Sequence, residues 1–131
     1  MGGTEMRNNE TRGKDMGLFT QADMAAMKDN GVRSMAGESI DPVPPAMLWM
    51  PDGRQRWLLT EIYPYDEDMA YGLCDLGIGC PELGEVRLSE LEAMTGPGMM
   101  QVERYKGYRP SPNLPISRLD RMAHEAGRIV V

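Results

Sequence analysis

Much familiar chemistry is ruled out by what this chain lacks. Its 131 residues hold two cysteines, Cys74 and Cys80, and one histidine, His124. A closed zinc site needs four ligands at short spacings, and a disulfide framework needs more sulfur than this. No apolar run approaches the ~18 residues of a membrane span. The opening MGGTEMRNNETRGKD has no apolar stretch of the kind a signal peptide carries. Met6 stands where a myristoylation signal wants Ser or Thr. Positive charge is also short: 14 Lys and Arg against 20 acids leave −6 at neutral pH, so bulk attraction to nucleic acid is disfavoured. No phosphate-cradling loop and no nucleophile beside its base occurs. These absences predict a soluble, reduced, cytoplasmic protein with no cofactor and no membrane contact.

What is present predicts a small α+β domain. Fifteen Gly and ten Pro imply short elements and much loop. Residues 1–17 read as a disordered lead and 18–131 as one domain. Thr20 caps a helix over about 20–30, with Asp23 in the reciprocal position and Gly31 as its stop. Residues 32–45, with Pro42, Pro44 and Pro45, form a connector. Ala46–Met50 and Gln55–Ile62 flank Pro51-Asp52-Gly53, the pattern of a β-hairpin. Tyr63–Asp68 is an exposed acidic turn, and Met69–Ile78, apolar on both faces, an interior strand. Glu85–Leu88 alternates as a further strand. Ser89 then caps a short helix with Glu92 in the capping-box position. Met99–Tyr105 reads as an edge strand. A last helix opens at Pro115 or Ser117, with Leu119, Met122, Ala123 and Ala126 as its stripe and Gly127 as its stop. Ile129–Val131 then folds back as a short strand. The whole is a small antiparallel sheet of four to five strands with N-terminal, middle and C-terminal helices.

The motif Gly72-Leu73-Cys74-Asp75-Leu76-Gly77, followed by Pro81-Glu82-Leu83-Gly84 and Leu88-Ser89-Glu90-Leu91, together with WLLTE and the terminal AGRIV, resembles a family of small bacterial proteins known only as a domain of unknown function. The resemblance covers roughly 17–130. It implies a mobile-element setting of plasmids, integrative elements and phages, and with it a role against host defence. It brings no catalytic residues.

Charge is segregated along the chain. Residues 61–92 hold nine acids against one base, Arg87. One reading is a solvated face, with Glu90 and Glu92 favouring a helix start. The sharper reading is a docking surface of Asp66, Glu67, Asp68, Glu82 and Glu85 that mimics phosphate toward a basic partner. A rival site is a carboxylate cluster of Glu61, Asp75 and Glu82, placed for acid–base work or metal binding. Against that, Asp75 pairs with Arg54, Arg56 or Arg87, or accepts backbone hydrogen bonds. Cys74 reads as a small core residue, His124 as a surface residue, and the thirteen Met as core filling. The basic segment 101–131, with Tyr105 and Tyr108 among its arginines, either pairs with the acidic stretch, within the fold or in a homodimer, or contacts single strands. The functional expectation is a non-enzymatic interaction protein whose acidic face engages a protein partner, such as a host nuclease or CRISPR effector. A carboxylate enzyme and a nucleic-acid accessory protein are the alternatives.

Overall fold

The computed structural model describes residues 18–131; the disordered lead read for 1–17 lies outside them. The order of elements is α1 (Gln21–Met35), β1 (Ala46–Trp49), β2 (Arg56–Tyr63), β3 (Asp66–Asp75), β4 (Glu82–Arg87), α2 (Leu88–Ala93), β5 (Glu103–Arg104) and α3 (Ile116–Ala126). The five strands form one antiparallel sheet in the order β4-β3-β2-β1-β5. β1 to β4 are thus a meander of three hairpins, and β5 returns to the free edge of β1. The predicted α+β class and the hairpin about Pro51–Gly53 are both found.

Alternation along the strands creates two cores, one on each face. Ala46, Leu48, Trp57, Leu59 and Ala70 point to a face covered by Met27 of α1 and by Leu88 and Leu91 of α2. Met47, Leu58 and Leu73 point to the other face, under Leu119 and Ala123 of α3 and the trailing Ile129. The molecule is therefore three layers deep, with the sheet in the middle. Cys74 packs against the first core, where burial pushes its thiol up to about 11. His124 sits on the exposed side of α3, 3.3 Å from Asp120. Methionine is divided: Met27, Met47 and Met50 fill the cores, whereas Met35, Met99 and Met100 are exposed.

Several boundaries differ from expectation for identifiable reasons. Thr20 and Asp23 form the expected capping box, but α1 runs past Gly31 to Met35. Gly31 is buried against β2 and is an interior contact, not a stop. β3 starts at Asp66 and ends at Asp75, so the acidic segment is strand and Leu76 and Ile78 are exposed loop. β4 begins three residues earlier than Glu85, β5 is only two residues long, and 129–131 form no strand. Ala126 is exposed, so the buried stripe of α3 is Ile116, Leu119 and Ala123.

Ser89, predicted as a cap, is not one, and of the two openings read for the last helix it is Pro115 that takes the cap position. Ser89 and Ser117 each lie one residue inside their helix, which starts at Leu88 or Ile116. An aspartate distant in sequence satisfies each terminus instead. Asp68 accepts from the Ser89 N–H (3.0 Å) and hydroxyl (2.7 Å), and Asp41 accepts from the Ser117 N–H (3.0 Å) and hydroxyl. These bonds stitch α2 to β3 and α3 to the loop after α1, while satisfying donors that a helix start leaves open.

Candidate functional site

The register of the sheet decides which acidic residues can act together. Tyr71 of β3 pairs with Glu61 of β2 on one side and with Glu85 of β4 on the other. Directly opposed residues share a face, so Glu61, Tyr71 and Glu85 form one row across three strands. With strands about 4.8 Å apart, the two glutamates stand about 10 Å from each other across the tyrosine. A register shift in β2 between Leu59 and Glu61 sets this row, since without it Glu61 would oppose a different residue. The row faces α3, and the loop after α1 closes its side.

Glu61 and Tyr71 of this row lie in a groove of about 460 Å³ lined also by Ser34, Glu38, Asp41 and Tyr63 among others. A recess of about 190 Å³ continues it past Tyr63, Tyr65 and Glu85. Among the described residues no lysine or arginine lines either part. Glu38 is held at 3.2 Å by Arg33, which does not line the groove. Glu61 is 8% exposed and forms no ion pair among the described residues. Burial raises its pKa from the ordinary carboxylate value, and a hydrogen bond from Ser34 offsets part of that rise. Burial also raises Tyr63, helped by its hydrogen bond to Glu85 and by the charges of Glu85 and Glu61. Tyr71 is raised by burial first and by Glu61 second. Tyr63 and Tyr65 stack with centroids 5.6 Å apart and planes 4° from parallel. The groove therefore combines anionic charge, phenol faces and an incompletely solvated carboxylate, which together suit a cation.

The expected residues fall into three groups. Asp66, Glu67 and Asp68 are engaged within the chain: Arg87 lies 3.3 Å from Asp66 and 3.6 Å from Asp68, and Lys28 lies 3.3 Å from Glu67. Their charge is thereby partly offset. Glu82 and Glu85 form no ion pair among the described residues, and they sit on β4, an outer strand of the sheet. Glu61, Asp75 and Glu82 do not assemble. Asp75 lies four residues beyond Tyr71 on β3, about 13 Å along the strand. Glu82 opposes Cys74, which packs into the first core, so Glu82 points to the opposite face from Asp75. Asp75 is 2% exposed and accepts from the N–H groups of Gly77 (2.8 Å) and Ile129 (2.9 Å). Its role is the backbone one. Arg104 of the basic segment pairs with Asp23 of α1, at 2.6 Å from Nε, rather than with the acidic stretch. No group of three or more His, Cys, Asp and Glu stands ready to hold a metal ion among the described residues.

Sequence reading missed the pairing of Glu61 with Glu85. Both residues were candidates, but for different sites. The signal that joins them is strand register, which hangs on a bulge that residue type does not mark. Ser34 was missed because an extended α1 is needed to bring it near, and Tyr63 because it was read as the start of the acidic turn and not as the end of β2.

The raised Glu61 gives a stability prediction. A carboxyl whose native pKa lies above its unfolded value holds its proton more tightly when folded. Stability is then fully present below the unfolded value of 4.5 and falls as pH rises toward the native pKa. Glu61→Gln removes that loss while keeping an acceptor for Ser34. The variant is expected to match the native chain at pH 4 and to melt a few degrees higher at pH 7.5, a gain on the order of 1 kcal/mol. Melting curves at the two pH values check this, and a lower Tm at pH 7.5 would contradict it.

A protein-family profile described as "Protein of unknown function (DUF2958)" matches residues 18–130. No curated protein and no solved structure matches the chain. No helix among the described residues is long and apolar enough to cross a membrane.

Proposed function

The chain belongs to the DUF2958 family, whose description carries no activity, and on that premise we propose that it is a non-enzymatic interaction protein. Its acidic-aromatic groove receives basic side chains of a protein partner. The observation that supports this most is the row Glu61–Tyr71–Glu85 on one face, in a groove with no base among its lining. An entering guanidinium or ammonium group gains two carboxylates and the faces of Tyr63 and Tyr71, an arrangement that favours cations in a partly dry site. Glu82, three residues before Glu85 on the same strand, points to the opposite face of the sheet and stays outside the groove, so the field that speeds encounter with a basic partner comes from the row itself. The ion pairs at Asp66, Glu67 and Asp68 make that segment a rim of the surface instead of its centre.

The partner class that fits is a protein with a basic channel for phosphate backbones, since carboxylates carried on a rigid sheet, from backbones about 10 Å apart, can stand in for phosphates. The resemblance to mobile-element proteins adds a host defence nuclease or CRISPR effector as that partner. On this reading the carboxylate-enzyme alternative loses its site, because its three acids lie on two faces and far apart along the strand.

The test uses charge-neutral variants. The full chain is expected to bind a purified nucleic-acid-handling defence complex of its host and to compete with that complex's nucleic acid. Glu61→Gln with Glu85→Gln is expected to weaken binding by about 100-fold, since two charge-assisted contacts are lost. Affinity unchanged in the folded double variant would remove the groove as the binding site.

A further inference from the structure

The end of the sheet opposite the acidic groove carries the contrary charge. Arg54, Arg56 and Arg128 line one cavity of about 310 Å³, at the mouth of the β1–β2 hairpin. None of the three forms an ion pair with a carboxylate among the described residues. The Arg56 guanidinium donates from Nη1 to the Gln55 carbonyl at 3.2 Å and lies over Trp49 at 5.3 Å from the ring centroid. Asp75 also lines the cavity, but both its oxygens are taken by N–H groups. Three guanidinium groups against one such carboxylate leave the cavity positive in a chain whose net charge is −6. Like charges held together without a counter-ion are destabilising, so an anion entering here relieves repulsion as well as making bonds. Guanidinium forks match phosphoryl oxygens in pairs, which an ammonium group does not do.

A second recess of about 340 Å³ shares Arg56 and Arg128 with the first and adds Trp49 and Tyr105. Those two rings stand edge to face, 4.9 Å between centroids. A ligand spanning both recesses would have adjacent phosphoryl and planar aromatic parts. We propose that this end of the molecule binds a nucleotide unit, with its phosphoryl groups on Arg54, Arg56 and Arg128 and its base beside Trp49 and Tyr105. The unit comes either as a free nucleoside diphosphate or as part of a single strand.

Trp49 reports on binding, because it lines the recess while the only other tryptophan, Trp57, is buried in the first core. Full-length chain is titrated with ADP, with adenosine, and with a short single-stranded oligonucleotide at matched ionic strength. Saturable quenching by ADP, displaced by pyrophosphate and absent with adenosine, supports a free nucleotide. Quenching by the oligonucleotide alone supports the strand as source. In either case Arg54→Gln with Arg128→Gln should weaken binding by about tenfold or more, with melting temperature unchanged because both residues are exposed. No saturable response to ADP or oligonucleotide, equal response to adenosine, or undiminished binding in the double variant overturns the proposal.

Discussion

Gly31→Ala is expected to destabilise the protein by about 3 kcal/mol, although alanine is the better helix former by about 1 kcal/mol. Gly31 lies inside α1, where the substitution should be helpful on propensity alone. A Cβ built there would stand 1.9 Å from the Ile62 carbonyl oxygen and 2.9 Å from its carbon. Both obstacles are backbone of β2, which is held between β1 and β3 and cannot step aside. The helix would have to retreat by more than 1 Å, opening the contact between Met27 and the sheet. Overpacking of this kind costs about 1–3 kcal/mol, and here no side chain can rotate to absorb it. Urea titration should show a lower midpoint with an unchanged slope. Gly84→Ala is the control: nothing lies within 4 Å of its added Cβ, so a change within about 0.5 kcal/mol is expected. A Gly31→Ala chain as stable as the native one would mean that α1 is free to shift on the sheet.

The same glycine shows what the sequence could and could not disclose. Asn30-Gly31 has the form of a helix stop, and local chemistry gave no reason to read it otherwise. Only the approach of β2, some thirty residues later, makes it an interior contact. The strands Ala46–Trp49 and Arg56–Tyr63 were legible because each buries both faces, and burial on both faces shows as an apolar run. Thr20 with Asp23 was legible because both partners lie within one turn. Ser89 looked like a cap by the same rule, and Ser117 was one of two openings read for the last helix. The rule failed because Asp68 and Asp41, 21 and 76 residues away, supply the acceptors. The candidate site followed the same division. Its acidic character could be read from composition. The grouping of Glu61 with Glu85, and the separation of Asp75 from both, depend on register and on a bulge, and these are properties of pairs of strands.

Asp75→Ala is expected to cost about 3 kcal/mol and to release the end of the chain. A buried N–H on Ile129 and a half-buried one on Gly77 would lose their acceptor together. Each unsatisfied donor costs about 1–3 kcal/mol, and no neighbouring side chain is placed to replace the carboxylate. The Gly77 bond closes a turn in which that residue has φ +82°, a conformation that glycine reaches without strain. The Ile129 bond anchors a core residue of the second face behind α3. Amide exchange at Ile129 should therefore rise toward that of an open segment, while exchange in β2 changes only with global stability. Asp75→Asn keeps one acceptor oxygen and turns an amide donor toward the other N–H, so it should lie between the native chain and Asp75→Ala. A catalytic or ligand-binding carboxylate would behave in the opposite way, since its removal usually leaves stability unchanged or improved while function is lost. Asp75 also lines the arginine cavity. Loss of ligand binding in its variants would follow from collapse of the turn and tail, and only the arginine substitutions can report on the site itself. Native exchange at Ile129 in Asp75→Ala would show that the tail is held by packing alone, and would return Asp75 to the set of residues available for function.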